Sequence, residues 1–199
     1  MNKEKYYLAL DLELNNSPDG STPNPPIIQV GVAYGNYKDY VDNNIKTRKW
    51  YIDPKEPIFP FITSLTGITD DDIKNFAVSH DKIAEELSLM VSSYKIGNPI
   101  TWGGGDTVEL KNEFRSRLIH FPHFGRRWID VKTYYTFDMI ADGKNPAGSL
   151  RSAMARYKMK FIDEPHRADN DALNTLRLFF NLIERHNRLH MIVKDIKEL

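Results

Sequence analysis

Two carboxylates, Asp11 and Glu13, stand two residues apart in the run Tyr6-Tyr7-Leu8-Ala9-Leu10-Asp11-Leu12-Glu13. On a strand, that spacing puts both side chains on one face. Like charges gathered on a sheet repel, and a hard divalent cation with oxygen ligands relieves the repulsion. The pair alone is a weak signal. With 17 Asp and 10 Glu in the chain, about one Asp-x-Glu arises by chance, and a solvated strand edge is the ordinary alternative. A third carboxylate, Asp106, follows Thr101-Trp102-Gly103-Gly104-Gly105, a strand end turning through glycines into a helix. Active-site residues in α/β sheets gather at such strand ends, although Asp106 would serve equally well as a helix N-cap. These glycines match neither a P-loop nor a dinucleotide fingerprint. The sharpest local pattern is His166-Arg167-Ala168-Asp169-Asn170-Asp171. With six His and ten Ala in the chain, His-x-Ala-x-x-Asp is expected only about 0.03 times by chance. A loop histidine can approach a substrate while an aspartate in the first turn of a helix stays fixed. The ordinary alternative is a surface histidine beside an aspartate that complements the helix dipole. The other histidines, His80, His120, His123, His186 and His190, show no ligand spacing.

The elements that must position these groups follow from the apolar pattern. Tyr6 to Glu13 reads as a first strand and Ile27 to Tyr34 as a second. The stretch between, Asn15 to Pro26, is rich in Asn, Ser, Pro and Gly and reads as a loop. Tyr37 to Ile45, after a turn at Gly35-Asn36, suggests a third strand, and Trp50 to Asp53 another. Short links between these strands imply an antiparallel meander, with one more strand at about Pro99 to Trp102. Ile83, Leu87, Met90, Val91 and Tyr94 fall at helical spacing, so Ser79 to Tyr94 is an amphipathic helix. Val108, Leu110, Phe114 and Leu118 suggest another after Asp106. Ile129 to Phe137 and Leu150 to Tyr157 are further helical stretches. Asp169 is a plausible N-cap for a long final helix carrying Ala172, Leu173, Leu176, Phe179, Phe180 and Ile183. Strands first, then helices with a late strand, make an α/β fold with a mixed sheet.

Composition narrows the classes. A length of 199 residues fits one domain, 1–199, with a real core. No apolar run approaches the roughly 18 residues of a membrane span, and the first residues lack the apolar stretch of a secretory signal. There is no cysteine, which excludes a disulfide scaffold, a thiolate metal site and a cysteine nucleophile, and is compatible with a reducing, cytoplasmic setting. The net charge is zero, which argues against a protein that coats long stretches of nucleic acid. Residues 1–99 carry 10 basic against 14 acidic side chains, and residues 100–199 carry 17 against 13. That asymmetry is either scatter or a basic surface facing a polyanion.

Taken in order, these segments resemble the DEDDh branch of the DnaQ-like 3′→5′ exonucleases, which have an RNase H-like fold. Asp11-Leu12-Glu13 matches the first motif, Asp106 supplies the second, and His166-x-Ala168-x-x-Asp171 is the third. Ile27-Ile28-Gln29-Val30-Gly31, Leu65-Thr66-Gly67-Ile68-Thr69, Trp128-Ile129-Asp130 and Ser149-Leu150 also stand in family-like order. Trp102-Gly103-Gly104-Gly105 in place of His-Asn before Asp106 is most similar to the histone-mRNA and small-RNA trimming and KapD-like subgroup. Arg167, where the tyrosine branch has Tyr, favours the histidine branch. Asp169 and Asn170 replace a common Leu and Asp, so Asp169 is a spare carboxylate beside Asp171.

The resemblance implies an RNase H-like α/β fold with a mixed, mostly five-stranded sheet flanked by helices. It implies two divalent ions, Mg²⁺ or Mn²⁺, held by Asp11, Glu13, Asp106 and Asp171, with Asp11 bridging. An oxygen-only ligand set suits those ions better than zinc. His166 would act as general base, a role suited to the near-neutral pKa of histidine as a residue type. Leu14, Asn15, Thr66, Gly67 and Ile68 would flank the terminal nucleotide. Arg167, Arg151 and Lys132 are candidates for phosphate contact, with solvated surface the ordinary reading of each, and Trp102 is a candidate for base stacking, with a core role its ordinary reading. The implied partner is the 3′ end of single-stranded RNA or DNA, cut to nucleoside 5′-monophosphates, with RNA slightly favoured. A proofreading or repair DNA exonuclease and an inert RNase H-like binding module are the alternatives. Oligomeric state is left open.

Overall fold

The computed structural model describes residues 3–122, 124, 127–145 and 148–197, the side chains of 190, 192 and 194–197 excepted. His123 and the His190 side chain therefore lie outside the described residues. A five-stranded mixed sheet has the order β3-β2-β1-β4-β5. β1 (Tyr7–Leu14), β2 (Ile27–Gly35) and β3 (Lys46–Tyr51) form the antiparallel half. β4 (Ile100–Thr101) and β5 (Ile129–Asp130) extend it in parallel.

Alternation along β1 sorts its side chains. Leu8, Leu10 and Leu12 enter one core with Val30 and Val32, closed by Ile83 and Leu87 of α4 (His80–Ser93) and by Leu110 and Phe114 of α5 (Gly105–Ser116). Each fully buried Leu or Ile there contributes roughly 1.5–3 kcal/mol. On the opposite face the sheet offers small residues, Ala9, Gly31 and Ala33, beneath α8 (Ala168–Lys197). The helix answers with Ala168 and Ala172, both fully buried. A Cβ on Gly31 would lie 2.0 Å from the Ala168 carbonyl carbon, so only glycine permits this approach. α6 (Val131–Ala141) and α7 (Leu150–Arg156) complete that layer through Val131, Tyr135, Ala153 and Met154. A third cluster, Ile28, Ile58, Ile62, Ile68 and Ile73, packs α2 (Pro60–Thr66) and α3 (Asp70–Phe76) at the sheet's edge. None of the described helices is long and apolar enough to cross a membrane.

Several elements differ from the sequence pattern. Tyr37 to Ile45 is not a strand. Asn36 and Asp39 form a reciprocal capping box, which starts the short helix α1 (Tyr37–Val41). β3 accordingly begins at Lys46 and ends at Tyr51, before Ile52 and Asp53. The stretch from Ile129 divides into β5 and α6, because Asp130 caps α6 through the Lys132 and Thr133 N–H groups. Asp169 is not an N-cap, since α8 begins one residue earlier. α2 and α3 lie in a stretch to which the apolar pattern assigned no helix.

Candidate active site

β1 delivers Asp11 and Glu13 to the α8 face at the end of the small-residue row. In the β1–β2 ladder Asp11 stands opposite Gly31, and Glu13 opposite Gln29. The first turn of α8 descends onto the same place. Ala168 N–H donates to the buried Gln29 Oε1 at 2.8 Å, so a side chain of the sheet satisfies one of the helix's first free donors. His166 adopts φ +60°, and its N–H donates to Asp171 Oδ2 at 3.0 Å. Asp11, Glu13 and Asp171 then each present an oxygen within 4.8 Å of the others. Among the described residues no other group of three His, Asp or Glu is arranged to hold an ion.

Asp106 arrives from the parallel half. Gly104 is the N-cap residue of α5 and makes no side-chain capping bond, so Asp106 lies within the first turn rather than capping it. Gly103 has φ +101°, and its N–H donates to Asp130 Oδ1 at 2.9 Å, which ties the glycine turn to the start of α6.

The electrostatics are those of buried acids crowded together. Burial pushes the Asp11 carboxyl well above the usual range, and the charges of Asp106, Glu13 and Asp171 add to it. Burial also raises Glu13 to about 8, with Asp171 and Asp106 adding and Arg167 opposing. Asp106 is pushed up to about 7, by burial first and then by Asp130, Asp171 and Glu109. Burial raises Asp171 too, against the hydrogen bond and charge of His166. Four carboxyls that resist ionising together, all of them oxygen donors, could hold a hard divalent ion. Asp106 couples electrostatically to Asp11 and Glu13 while standing outside the tight trio.

Two cavities meet at His166, whose side chain is exposed. One, about 350 Å³, is lined by Asp11, Glu13, Trp102, Arg151, His166 and Asp171 among others. The second, about 590 Å³, is lined by Lys49, Thr66, Gly67, His166, Arg167 and Asn170 among others. Thr66, Gly67 and Arg167 thus share a cavity wall. The Arg167 guanidinium donates to the Tyr51 hydroxyl at 2.8 Å. Ile68 is fully buried in the third core cluster, so its side chain faces away from both cavities. Leu14 packs against the first core cluster. Asn15 is buried and braces the loop at Glu56, Pro57 and Phe59. Trp102 lines the smaller cavity while its ring packs on Tyr135. Arg151 lies over the Phe161 ring, and the Lys132 stem passes Gly103. Away from the site, His80 pairs with Glu113 at 2.8 Å between α4 and α5.

Residues that the chemical motifs did not single out do much of the positioning. Gln29 is a buried polar residue in an otherwise apolar strand, and Gly31 interrupts that strand; both signals are present in the sequence. Lys49 lies in the acidic half of the chain, so a count by halves hides it. Asp130 is the hub of the glycine turn.

An exonuclease family model, RNase_T, matches residues 9–179. The putative small RNA degrading nuclease 4 of Arabidopsis thaliana is 25% identical over 197 residues, covering 95% of this chain and 56% of that protein. The 3′-5′ exonuclease DinG of Bacillus subtilis is 25% identical over 204 residues, covering 100% of this chain and 20% of that protein. The chain therefore spans little more than half, or less, of these relatives. The nuclease domain of 3′hExo, a DEDDh family member solved with rAMP, superposes with a TM-score of 0.76 at 18% identity, covering 91% of this chain and 92% of that one. Its likeness is one of fold, the mixed sheet flanked by helices.

Proposed function

The chain belongs to the exonuclease family, and from that premise we propose that it is a metal-dependent 3′→5′ exonuclease acting through Asp11, Glu13, Asp106, Asp171 and His166. The observation that carries the proposal is the meeting of three carboxylates within 4.8 Å beside a histidine at a cavity mouth. The substrate is the 3′ end of single-stranded RNA or DNA, and the products are nucleoside 5′-monophosphates. RNA is favoured slightly, because a relative over most of this chain is named a small RNA degrading nuclease. Residues 1–199 act as one exonuclease domain, in a cytoplasmic setting.

The residues fit two Mg²⁺ or Mn²⁺ ions. The buried acids repel one another and their donors are hard oxygens. When bound, such ions would stabilise negative charge on the attacking and departing oxygens of the phosphodiester. Asp11, Glu13 and Asp171 would hold them most directly, and Asp106 would complete the set from the opposite side. His166 would take the proton of the attacking water, since it lines the acid cavity and is anchored through its own N–H to Asp171. Thr66, Gly67 and Arg167 would receive the terminal nucleotide in the adjoining cavity.

The test uses RNA and DNA oligomers of one sequence with free or blocked 3′ ends, supplied with Mg²⁺ or Mn²⁺. Mononucleotides should leave free 3′ ends only, and chelation should stop release. Release from blocked 3′ ends, internal fragments, or no release from either polymer would overturn the proposal.

A further inference from the structure

One carboxylate in the first turn of α8 stands apart from the acid trio. Asp169 Oδ2 pairs with Lys49 Nζ at 3.1 Å. The Asp169 side chain is only 14% exposed, against 37% for Lys49, and its Oδ1 is buried without a partner. Lys49 stands opposite Gly31 in the β2–β3 ladder, and Gly31 opposite Asp11. Asp11, Gly31 and Lys49 therefore form one row across the face beneath α8, and Glu13, Gln29 and Tyr51 form the next. Successive residues of the helix start reach down both rows. Arg167 bonds Tyr51, Ala168 N–H bonds Gln29, and Asp169 takes Lys49. Two residues on, about 200° around the helix, Asp171 faces the acids.

We propose that Lys49 and Asp169 are positioning residues for the exonuclease site, a reading that rests on the function proposed above. Their ion pair pins the first turn of α8 to the edge strand, so that His166 and Asp171 are held against Asp11 and Glu13. It also keeps Asp169 out of the metal set. The pair is asymmetric. Without Lys49, a half-buried carboxylate is left uncompensated beside the acid trio, whereas without Asp169 a lysine simply returns to solvent.

Four variants test this: Asp169→Asn, Lys49→Met, the double variant, and Lys49→Arg. They are measured for single-nucleotide release at saturating Mn²⁺, for Mn²⁺ binding, and for amide exchange across 166–171. Asp169→Asn should lower kcat about tenfold, with KM within about twofold, because small displacements of reacting groups cost rate rather than binding. Its Mn²⁺ stoichiometry should be unchanged, and the Ala168 and Asp171 amides should exchange about tenfold faster. Lys49→Met should lose more, and adding Asp169→Asn should restore it to the level of Asp169→Asn alone. Lys49→Arg should stay within about threefold of wild type, since the pair is kept. A raised KM at unchanged kcat in Lys49→Met would make Lys49 a substrate contact and overturn the proposal. So would loss of a bound Mn²⁺ in Asp169→Asn, or unchanged exchange at Ala168. If wild type releases no nucleotide, the exonuclease reading fails, while the exchange data still decide whether the pair pins the helix.

Discussion

The two halves of the sheet bring carboxylates to one cavity by different means. Asp11 and Glu13 sit on β1, which pairs along its full length with β2, and Asp171 is pressed against them by a helix whose backbone rests on Gly31. Asp106 hangs on a glycine turn between a two-residue strand and α5, tethered through Gly103 to Asp130. The antiparallel half gathers three oxygens within 4.8 Å, and Asp106 remains outside that group. A long ladder with small residues under a helix fixes ligands closely. A short parallel strand ending in glycines sets a carboxylate at a distance, on a turn held by the Asp130 and Thr101 side chains. This division suits a centre in which one carboxylate group is fixed and the other adapts to the substrate.

The largest effect should come from the fixed half. Asp11→Asn should abolish nucleotide release, because Asp11 is the acid on which the other three charges converge. The metal-free protein should remain as stable as wild type or gain stability, since repulsion is relieved; thermal unfolding checks this. His166→Ala should follow, lowering the cleavage rate by roughly 10²–10⁴-fold, the usual worth of a general base. Divalent-metal affinity should hardly change, because the histidine is exposed and stands beside the acids rather than among them. Calorimetric titration of that variant separates a base from a ligand.

Gly31→Ala and Asp130→Ala set the halves against each other. A Cβ at residue 31 meets backbone, which cannot yield as a flexible side chain would, so α8 must lift. The expected cost is about 3 kcal/mol of stability, at the upper end of overpacking effects, with a rate loss of about 100-fold from misplacing His166 and Asp171. Asp130→Ala removes the acceptor shared by Gly103, Lys132 and Thr133. It loosens the turn that carries Asp106 and uncaps α6, and should cost about 1 kcal/mol for the lost cap and about tenfold in rate. Equal losses in the two variants would erase the distinction drawn between the halves.

A further effect is one of pH, read on stability rather than on rate. Folding raises Glu13 from an ordinary value of 4.5 to about 8, and Asp106 from 3.8 to about 7. Between those limits the folded, metal-free protein keeps protons that the unfolded chain has released, so its stability falls as pH rises from about 4 to about 8. Saturating Mg²⁺ or Mn²⁺ should flatten that slope. A metal-free melting temperature that rises across this window would contradict the electrostatic account.

Much of this site was legible in the sequence because its residues obey local rules. Asp11 and Glu13 share a face through strand periodicity, and His166 and Asp171 flank a helix start. The helix from Ser79 carried its apolar spacing openly. Tyr37 to Ile45 misled because its aromatic and β-branched residues suit a strand, whereas the capping box at Asn36 and Asp39 decides the matter. Ile129 and Asp130 read as part of a helix because two strand residues are too few to show a period. Ile68 was placed beside the substrate by its neighbours in the motif, while its side chain completes a core. Lys49 acts through a long-range contact with the helix start, which no local pattern encodes, and the segments of Gln29 and Asp130 show in the sequence without the partners they bind.

A divalent-metal centre built from these acids depends above all on Asp11. Calorimetric titration of Mn²⁺ into wild type and Asp11→Asn, at a pH above the values to which Glu13 and Asp106 are raised, decides the matter. Wild type should bind two ions, and Asp11→Asn should lose measurable binding while remaining folded. Binding of equal stoichiometry and affinity in both proteins, or none in wild type, would contradict it.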